Sequence, residues 1–162
     1  VIRDGRIHPS FGLFYPSPSL RYLSYARRLS PCPNHRNFAV LSAVAVALFQ
    51  AENLGFPSLE IHTNARRSIT TITLMRPQPT LPEARLLHVI GGMQARVRTV
   101  YRFSQECSPQ IVQAARLARR SISYDFPLVY RQHPFNANIL ETDSDSILCT
   151  HEDIDQSTVI AE

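Results

Sequence analysis

The alternation of hydrophobic and polar residues predicts strands in the first part of the chain. The segments "FGLFY" (11–15) and "LRYLSYARRL" (20–29) place aromatic or aliphatic residues at alternating positions, which is the period of a strand with one buried face. The segment "VIRDGR" (1–6) is a third short strand-like run followed by a turn-prone stretch. Together these segments predict an antiparallel meander of three strands.

The longest apolar segment, 38–54, predicts a helix because of its length and its alanine and leucine content, with Gly55 as the C-terminal cap. It is apolar on nearly every side, so we expect it to be buried against a sheet. Its apolar run is interrupted at Ser42 and is shorter than the roughly 20 residues that span a bilayer.

The remaining pattern predicts strands joined by helical connections. Thr80 and Glu83 have the spacing of a capping box, and Ser108 followed by Pro109 is typical of a helix start. The predicted elements are a strand at 58–63, helices at 64–75 and 81–92, a strand at 95–103 and a helix at 108–121. This order predicts an α/β fold, in which parallel strands extend the meander to a mixed five-stranded sheet flanked by helices.

Charge divides the chain into two predicted regions. Residues 1–124 hold 16 arginines against five acids, whereas residues 125–162 hold one arginine against eight acids. We therefore predict a basic domain at 1–124 and a solvated, mobile acidic tail at 125–162, which either masks the basic surface, contacts a partner or serves solubility alone. All 17 basic residues are arginine, a residue that binds phosphates and carboxylates equally well.

Sequence motifs exclude several classes of chemistry. The chain has no P-loop, no G-x-G-x-x-G, no G-x-S-x-G and no H-E-x-x-H. Its three cysteines form no C-x-x-C pair, which suits a reducing compartment, and no signal peptide precedes the first strand, so we expect an intracellular protein, cytoplasmic or nuclear. A zinc site built from Cys32, His35, Cys149 and His151 is an alternative that this loose spacing disfavours.

Four local strings in residues 1–122 resemble ribonuclease H, in particular its fungal branch. Asp4 precedes a glycine at the end of the first strand, as in the family. The segment 38–48 matches the small and apolar residues of the family's central helix, but Val40 replaces its glutamate. Asn64 follows Thr63 where the family has aspartate, 24 positions after Val40, and Val112 stands at the acid of the last helix. The resemblance implies a ribonuclease H-like fold.

The missing acids bear directly on catalysis. The family needs four carboxylates because two divalent cations must be held about 4 Å apart to cleave a phosphodiester. Asp4 alone cannot confine two such ions, since hard cations require anionic oxygen ligands. We therefore expect an inactive pseudo-ribonuclease H with no metal or other cofactor, whose vestigial positions are Asp4, Val40, Asn64 and Val112. A shifted active site at Glu52, Glu60 or Glu106 is the disfavoured alternative.

Two binding functions follow from this interpretation. Valines at two positions of a once polar cleft leave apolar surface, which favours a protein-interaction or scaffold module with a protein partner or a second copy. The alternative is non-catalytic binding of RNA or an RNA–DNA hybrid through basic residues near the strand ends, namely Arg66, Arg67, Arg96, Arg98 and Arg102. An open groove lined by arginine, together with a salt-sensitive complex with an RNA–DNA hybrid, would reverse this order. Neither function involves a membrane.

Overall fold

The computed structural model describes residues 2–3, 6–32, 35–129 and 157–161 of the chain. Over these residues the fold is mixed α/β. The strands are β1 (Ile2–Arg3), β2 (Arg6–Ile7), β3 (Ser10–Phe14), β4 (Tyr25–Arg28), β5 (Ser58–Thr63), β6 (Arg98–Phe103), β7 (Leu128–Val129) and β8 (Ser157–Ala161). The helices are α1 (His35–Asn53), α2 (Arg66–Thr73), α3 (Leu81–Gln94) and α4 (Pro109–Ser121), with a short 3₁₀ turn at Arg21–Leu23. None of these helices is long and apolar enough to cross a membrane.

The main sheet differs from the predicted sheet in its strand number and order. It has six strands in the order β6-β5-β8-β3-β4-β7, whereas five were expected. Strands β5 and β6 are parallel and β3 and β4 are antiparallel, as predicted. The first predicted strand is instead the separate hairpin β1–β2, and β7 supplies the third antiparallel strand beside β4.

Strand β8 lies between β3 and β5, parallel to the former and antiparallel to the latter. Its residues belong to the segment that charge assigns to the acidic tail. The net charge of 125–162 conceals the β-branched run "STVI" (157–160), which has high strand propensity. The expectation of a solvated tail is therefore wrong for Leu128–Val129, which form β7, and for Ser157–Ala161, while residues 130–156 lie outside the described part of the chain.

The local signals at the helix ends explain where the helices begin and end. Gly55 has a φ of 71° and ends the turn after α1, with Phe56 N donating to Ala51 O at 2.8 Å, as the predicted glycine cap requires. Thr80 Oγ1 accepts from Glu83 N at 3.5 Å at the start of α3. The expected end of α3 at Gly91 and Gly92 is wrong, because the helix continues to Gln94.

Two sets of helices cover the sheet. On one face, α1 buries Val40, Leu41 and Val44 against β3, which contributes Phe11 and Leu13 to the same core. On the other face, α4 contacts β3, β4 and β8. Gly12 permits this contact, because a Cβ there would overlap the carbonyl oxygen of Ala114 and lie 2.8 Å from Ala118 N.

Candidate functional site

A cavity of about 670 Å³ opens where β5 ends and α2 begins. We call it the arginine pocket. Its walls come from the start of α1, the β5–α2 junction, the loop between α2 and α3, and the end of β6. The lining residues are Arg36, Asn37, Asn64, Ala65, Arg66, Arg67, Ser68, Thr71, Arg76, Pro77, Gln78, Pro79 and Phe103.

The parallel strands β5 and β6 bring the pocket walls together, because their carboxyl ends lie at the same edge of the sheet. Thr63 Oγ1 accepts from Ala65 N at 3.2 Å, which turns the chain out of β5, and Ala65 O then accepts from Ser68 N at 3.1 Å to start α2. At the far end of α2, Met75 has a φ of 48°, a left-handed conformation that is uncommon for a residue with a side chain. This bend leads directly into Arg76 on the opposite wall.

A hydrogen-bond network fixes the floor of the pocket. Asn37 Nδ2 donates to Gln78 Oε1 at 2.8 Å and to Glu83 Oε2 at 2.9 Å. Ser68 Oγ donates to Asn37 Oδ1 at 3.3 Å. Because these four residues come from α1, α2, the following loop and α3, the network holds the surrounding walls in one arrangement.

The pocket is strongly basic. Arg36, Arg66, Arg67 and Arg76 are exposed side chains in its lining, and no lining residue is acidic, since Glu83 of the floor network is fully buried behind Asn37. Two of these arginines lie in the first turn of α2, which has no acidic residue there and no side-chain cap. Because the amino end of a helix is itself partly positive, cations at this position are unfavourable in the absence of an anion. The arrangement therefore favours a negatively charged ligand.

An aromatic side chain interrupts the basic lining. Phe103 ends β6 and is 40% exposed. The guanidinium carbon of Arg66 lies 3.8 Å from the centre of its ring, a cation–π contact. Arg66 and Phe103 thus form one stacked pair at the pocket wall.

The structure places the three vestigial positions that it describes in different surroundings. Asn64 is 9% exposed and lines the arginine pocket, whereas Val40 is on α1 and its side chain is fully buried in the core. Val112 is half-buried on α4, which packs against the opposite face of the sheet, and Asp4 lies outside the described residues. Because Val40 is buried, it leaves no apolar surface for a partner to cover. Of the two valines that favoured a protein-interaction module, only Val112 remains.

Three of the predicted arginines, Arg96, Arg98 and Arg102, do not line the pocket, and two of them lie close to carboxylates. Arg96 Nε and Nη2 donate to Glu52 at 2.5 and 3.1 Å, and Arg102 Nε lies 3.0 Å from Glu60 Oε1. Arg98 is exposed on β6 and does not line the cavity. Of the five arginines expected to bind nucleic acid, the structure therefore brings only Arg66 and Arg67 into the pocket.

Two further arginines, Arg36 and Arg76, are additions that the sequence did not single out. Arg36 lies 30 positions before Arg66 and Arg76 follows the end of α2, so only the fold brings them to the same cavity. The one sequence signal near Arg76 is the proline-rich segment "RPQP" (76–79), which marks a loop without indicating where it points.

Glu60 belongs to a polar cluster on the face of β5 and β6 that also carries His62 and Arg102. His62 Nε2 lies 2.7 Å from Glu60 Oε1, and His62 Nδ1 lies 3.1 Å from Ser104 Oγ. The hydrogen bond from His62, aided by the positive charge of Arg102, holds the pKa of Glu60 below its usual value. Glu52 and Glu60 are therefore surface carboxylates that pair with basic side chains.

Within the part of the chain that the structure describes, no group of three or more His, Cys, Asp or Glu side chains could hold a metal ion. Cys149 and His151 lie outside the described residues, so the zinc alternative stays a prediction. In comparisons with known proteins, no family model, curated protein or solved structure matches this chain.

Proposed function

We propose that this chain is a ribonuclease H-like domain without nuclease activity that binds the phosphate backbone of nucleic acid in the arginine pocket. The observation that carries the proposal is a cavity lined by four exposed arginines and no acid. Phosphate oxygens are anionic acceptors that match the forked donors of arginine. This proposal puts nucleic-acid binding ahead of the protein interaction that the sequence favoured, and protein interaction becomes the alternative outcome of the test.

The fold interpretation rests on the order of elements. The expected order is three strands, a helix, a strand, two helices, a strand and a helix, and the described elements from β3 to α4 agree with it from the second strand onward, which supports the proposal. The insertion of β8 between β3 and β5 is a difference from the predicted sheet. Val40, Asn64 and Val112 stand where the resemblance places metal-binding carboxylates, and none of them is an acid, which supports an inactive domain.

The proposal predicts salt-sensitive binding that depends on the pocket. Fluorescence anisotropy of a labelled RNA strand, alone and paired with DNA, measures affinity across a series of salt concentrations. Replacing both Arg67 and Arg76 with alanine should weaken binding about tenfold or more and lower the slope of log affinity against log salt by about 2, because two phosphate contacts are lost. Arg96→Ala is the matched control and should leave affinity unchanged, since Arg96 pairs with Glu52 away from the cavity.

Two outcomes contradict the proposal. Equal affinities for the double variant and the native chain would remove the pocket as the binding site. Association that is tight but insensitive to salt would favour protein-type apolar contacts instead. The same samples should show no cleavage of the RNA–DNA hybrid in magnesium or manganese, and cleavage abolished by Asp4→Asn would overturn the assignment as a pseudoenzyme.

A further inference from the structure

The pocket contains a feature that phosphate binding alone does not explain, namely the exposed aromatic ring of Phe103. A phosphate gains nothing from an aromatic surface, whereas an unpaired base stacks on aromatic rings and on guanidinium planes. Arg66 and Phe103 offer both kinds of surface in one stacked pair. Resting on the proposed function, we infer that the arginine pocket holds an unpaired nucleotide of a single strand and not a base-paired duplex.

The shape of the cavity supports this inference. Its volume of about 670 Å³ lies within the range of about 300 to 1,000 Å³ that is typical of small-ligand sites, and a nucleotide is a ligand of that size. A duplex keeps its bases stacked inside and presents a convex backbone. Arginines exposed on a flat surface would serve a duplex as well, but Arg67 and Arg76 are on the walls of a concavity.

The lining of the pocket offers two kinds of side chain, and hydrogen bonds at its floor fix one of the walls that carry them. Gln78 Nε2 donates to Arg76 O at 2.7 Å, and Gln78 Oε1 accepts from Asn37, so the loop that carries Arg76 is tied to α1. Arg67 and Arg76 are placed to hold a phosphate, while Arg66 is already engaged with the ring of Phe103. A base that stacks on Arg66 and Phe103 while its phosphate contacts Arg67 and Arg76 uses both kinds of side chain.

The test compares strands that have the same phosphates but different bases. The full chain is titrated with a labelled 15-nucleotide single strand, with that strand paired to its complement, and with an otherwise identical strand that has abasic sites, each as RNA and as DNA. We expect the intact single strand to bind about tenfold tighter than the duplex or the abasic strand, the usual effect of losing a stacked base. Equal affinities for all three would overturn the inference.

Variants of Phe103 separate stacking from other effects. Phe103→Leu keeps an apolar side chain but removes the planar ring, so it should lower affinity for the intact strand about tenfold and leave abasic binding unchanged. Phe49→Ala is the matched control, because Phe49 is 59% exposed near the opposite end of α1 from the pocket. A 2-aminopurine base should also lose fluorescence on binding the native chain and not on binding Phe103→Leu.

The outcomes distinguish this inference from the function on which it rests. If replacing Arg67 and Arg76 lowers affinity but strand type and Phe103→Leu do not change it, phosphate binding is supported and the inference of a bound unpaired nucleotide is wrong. If no strand binds, both are wrong. The abasic strand needs no substitution in the protein, so the inference is decided even if Phe103→Leu fails to fold.

Discussion

Two halves of the main sheet show how the same chain separates stability from binding. In the closed half, β8, β3 and β4 have α4 on one face, and α1 packs on the other face of β3 and β8. In the open half, the described helices contact β5 and β6 on one face only, and Arg98, Val100 and Arg102 on the other face are exposed. The closed half is built from glycine, alanine and large apolar residues, whereas the open half carries the charged clusters and forms one wall of the arginine pocket. Substitutions in the closed half should therefore unfold the protein, and those in the open half should alter ligands or pH response.

The largest expected effect concerns β8, the strand of the closed half that also pairs with β5 of the open half. Val159 pairs with Leu13 on one side and with Thr63 on the other. Proline at this position removes the peptide N–H and its ring clashes with the ladder, so Val159→Pro should lower the free energy of unfolding by about 3 kcal/mol or more. Urea denaturation measures the loss, and Val159→Ala, which keeps the N–H, is the control. A native-like midpoint for Val159→Pro would show that β8 contributes little to the sheet.

A smaller but still large effect is expected where α4 crosses β3. Gly12→Ala places a Cβ against the backbone of Ala114 and Ala118, which cannot yield as a flexible side chain would. We expect a loss of about 3 kcal/mol in the free energy of unfolding, at the upper end of the usual cost of overpacking.

Gly92→Ala is the matched control for that substitution. An added Cβ at Gly92 meets no heavy atom within 4 Å, and the residue lies inside α3. Because alanine favours the helix, this change should stabilise the protein by about 0.5 to 1 kcal/mol. Equal effects of the two substitutions would remove the distinction between a closed and an open part of the fold.

The smallest expected effect is the acid response of the open half. The pKa of Glu60 is lowered, chiefly by the hydrogen bond from His62. The ionised carboxylate therefore stabilises the fold above its unfolded-state pKa of about 4.3, and this contribution is lost as the pH falls through the lower folded-state pKa. Glu60→Gln should weaken the pH dependence of unfolding between about pH 5 and pH 3, as followed by thermal melts, while Glu106→Gln, before α4, serves as control. An unchanged pH profile for Glu60→Gln would show that the contact with His62 does not form.

Sequence patterns predicted the closed and open halves to different extents. Helix α1, strand β5 and helix α4 were each predicted to within a few residues, because period, glycine cap and proline start are local signals. Strand β8 was missed because its partners are distant in the chain and its charged flank indicated a tail. The segment 1–6 was assigned to the main sheet, but Ile2–Arg3 pairs instead with Arg6–Ile7 in a separate two-stranded sheet. Local propensity does not determine which strands pair.

The candidate site was predicted in part for the same reason. Arg66 and Arg67 follow directly from the end of a well-predicted strand, and Asn64 lies beside them. Arg36, Arg76 and Phe103 reach the pocket from three other elements. The carboxylate partners of Arg96 and Arg102 could not be predicted from local sequence either, because Glu52 is 44 positions from Arg96 and Glu60 is 42 from Arg102.

The position of β8 also has a consequence for the order of events during synthesis. Phe11 pairs with Ser157, so the strand that joins the two halves of the sheet is made long after its neighbours β3 and β5. Until then these two strands each have one unsatisfied edge, a state open to pairing with other chains. Pairings between such distant segments close slowly, because the loop entropy is lost before the contacts form. A nascent chain of this protein is therefore expected to need protection of those edges until residues 157–161 have left the ribosome.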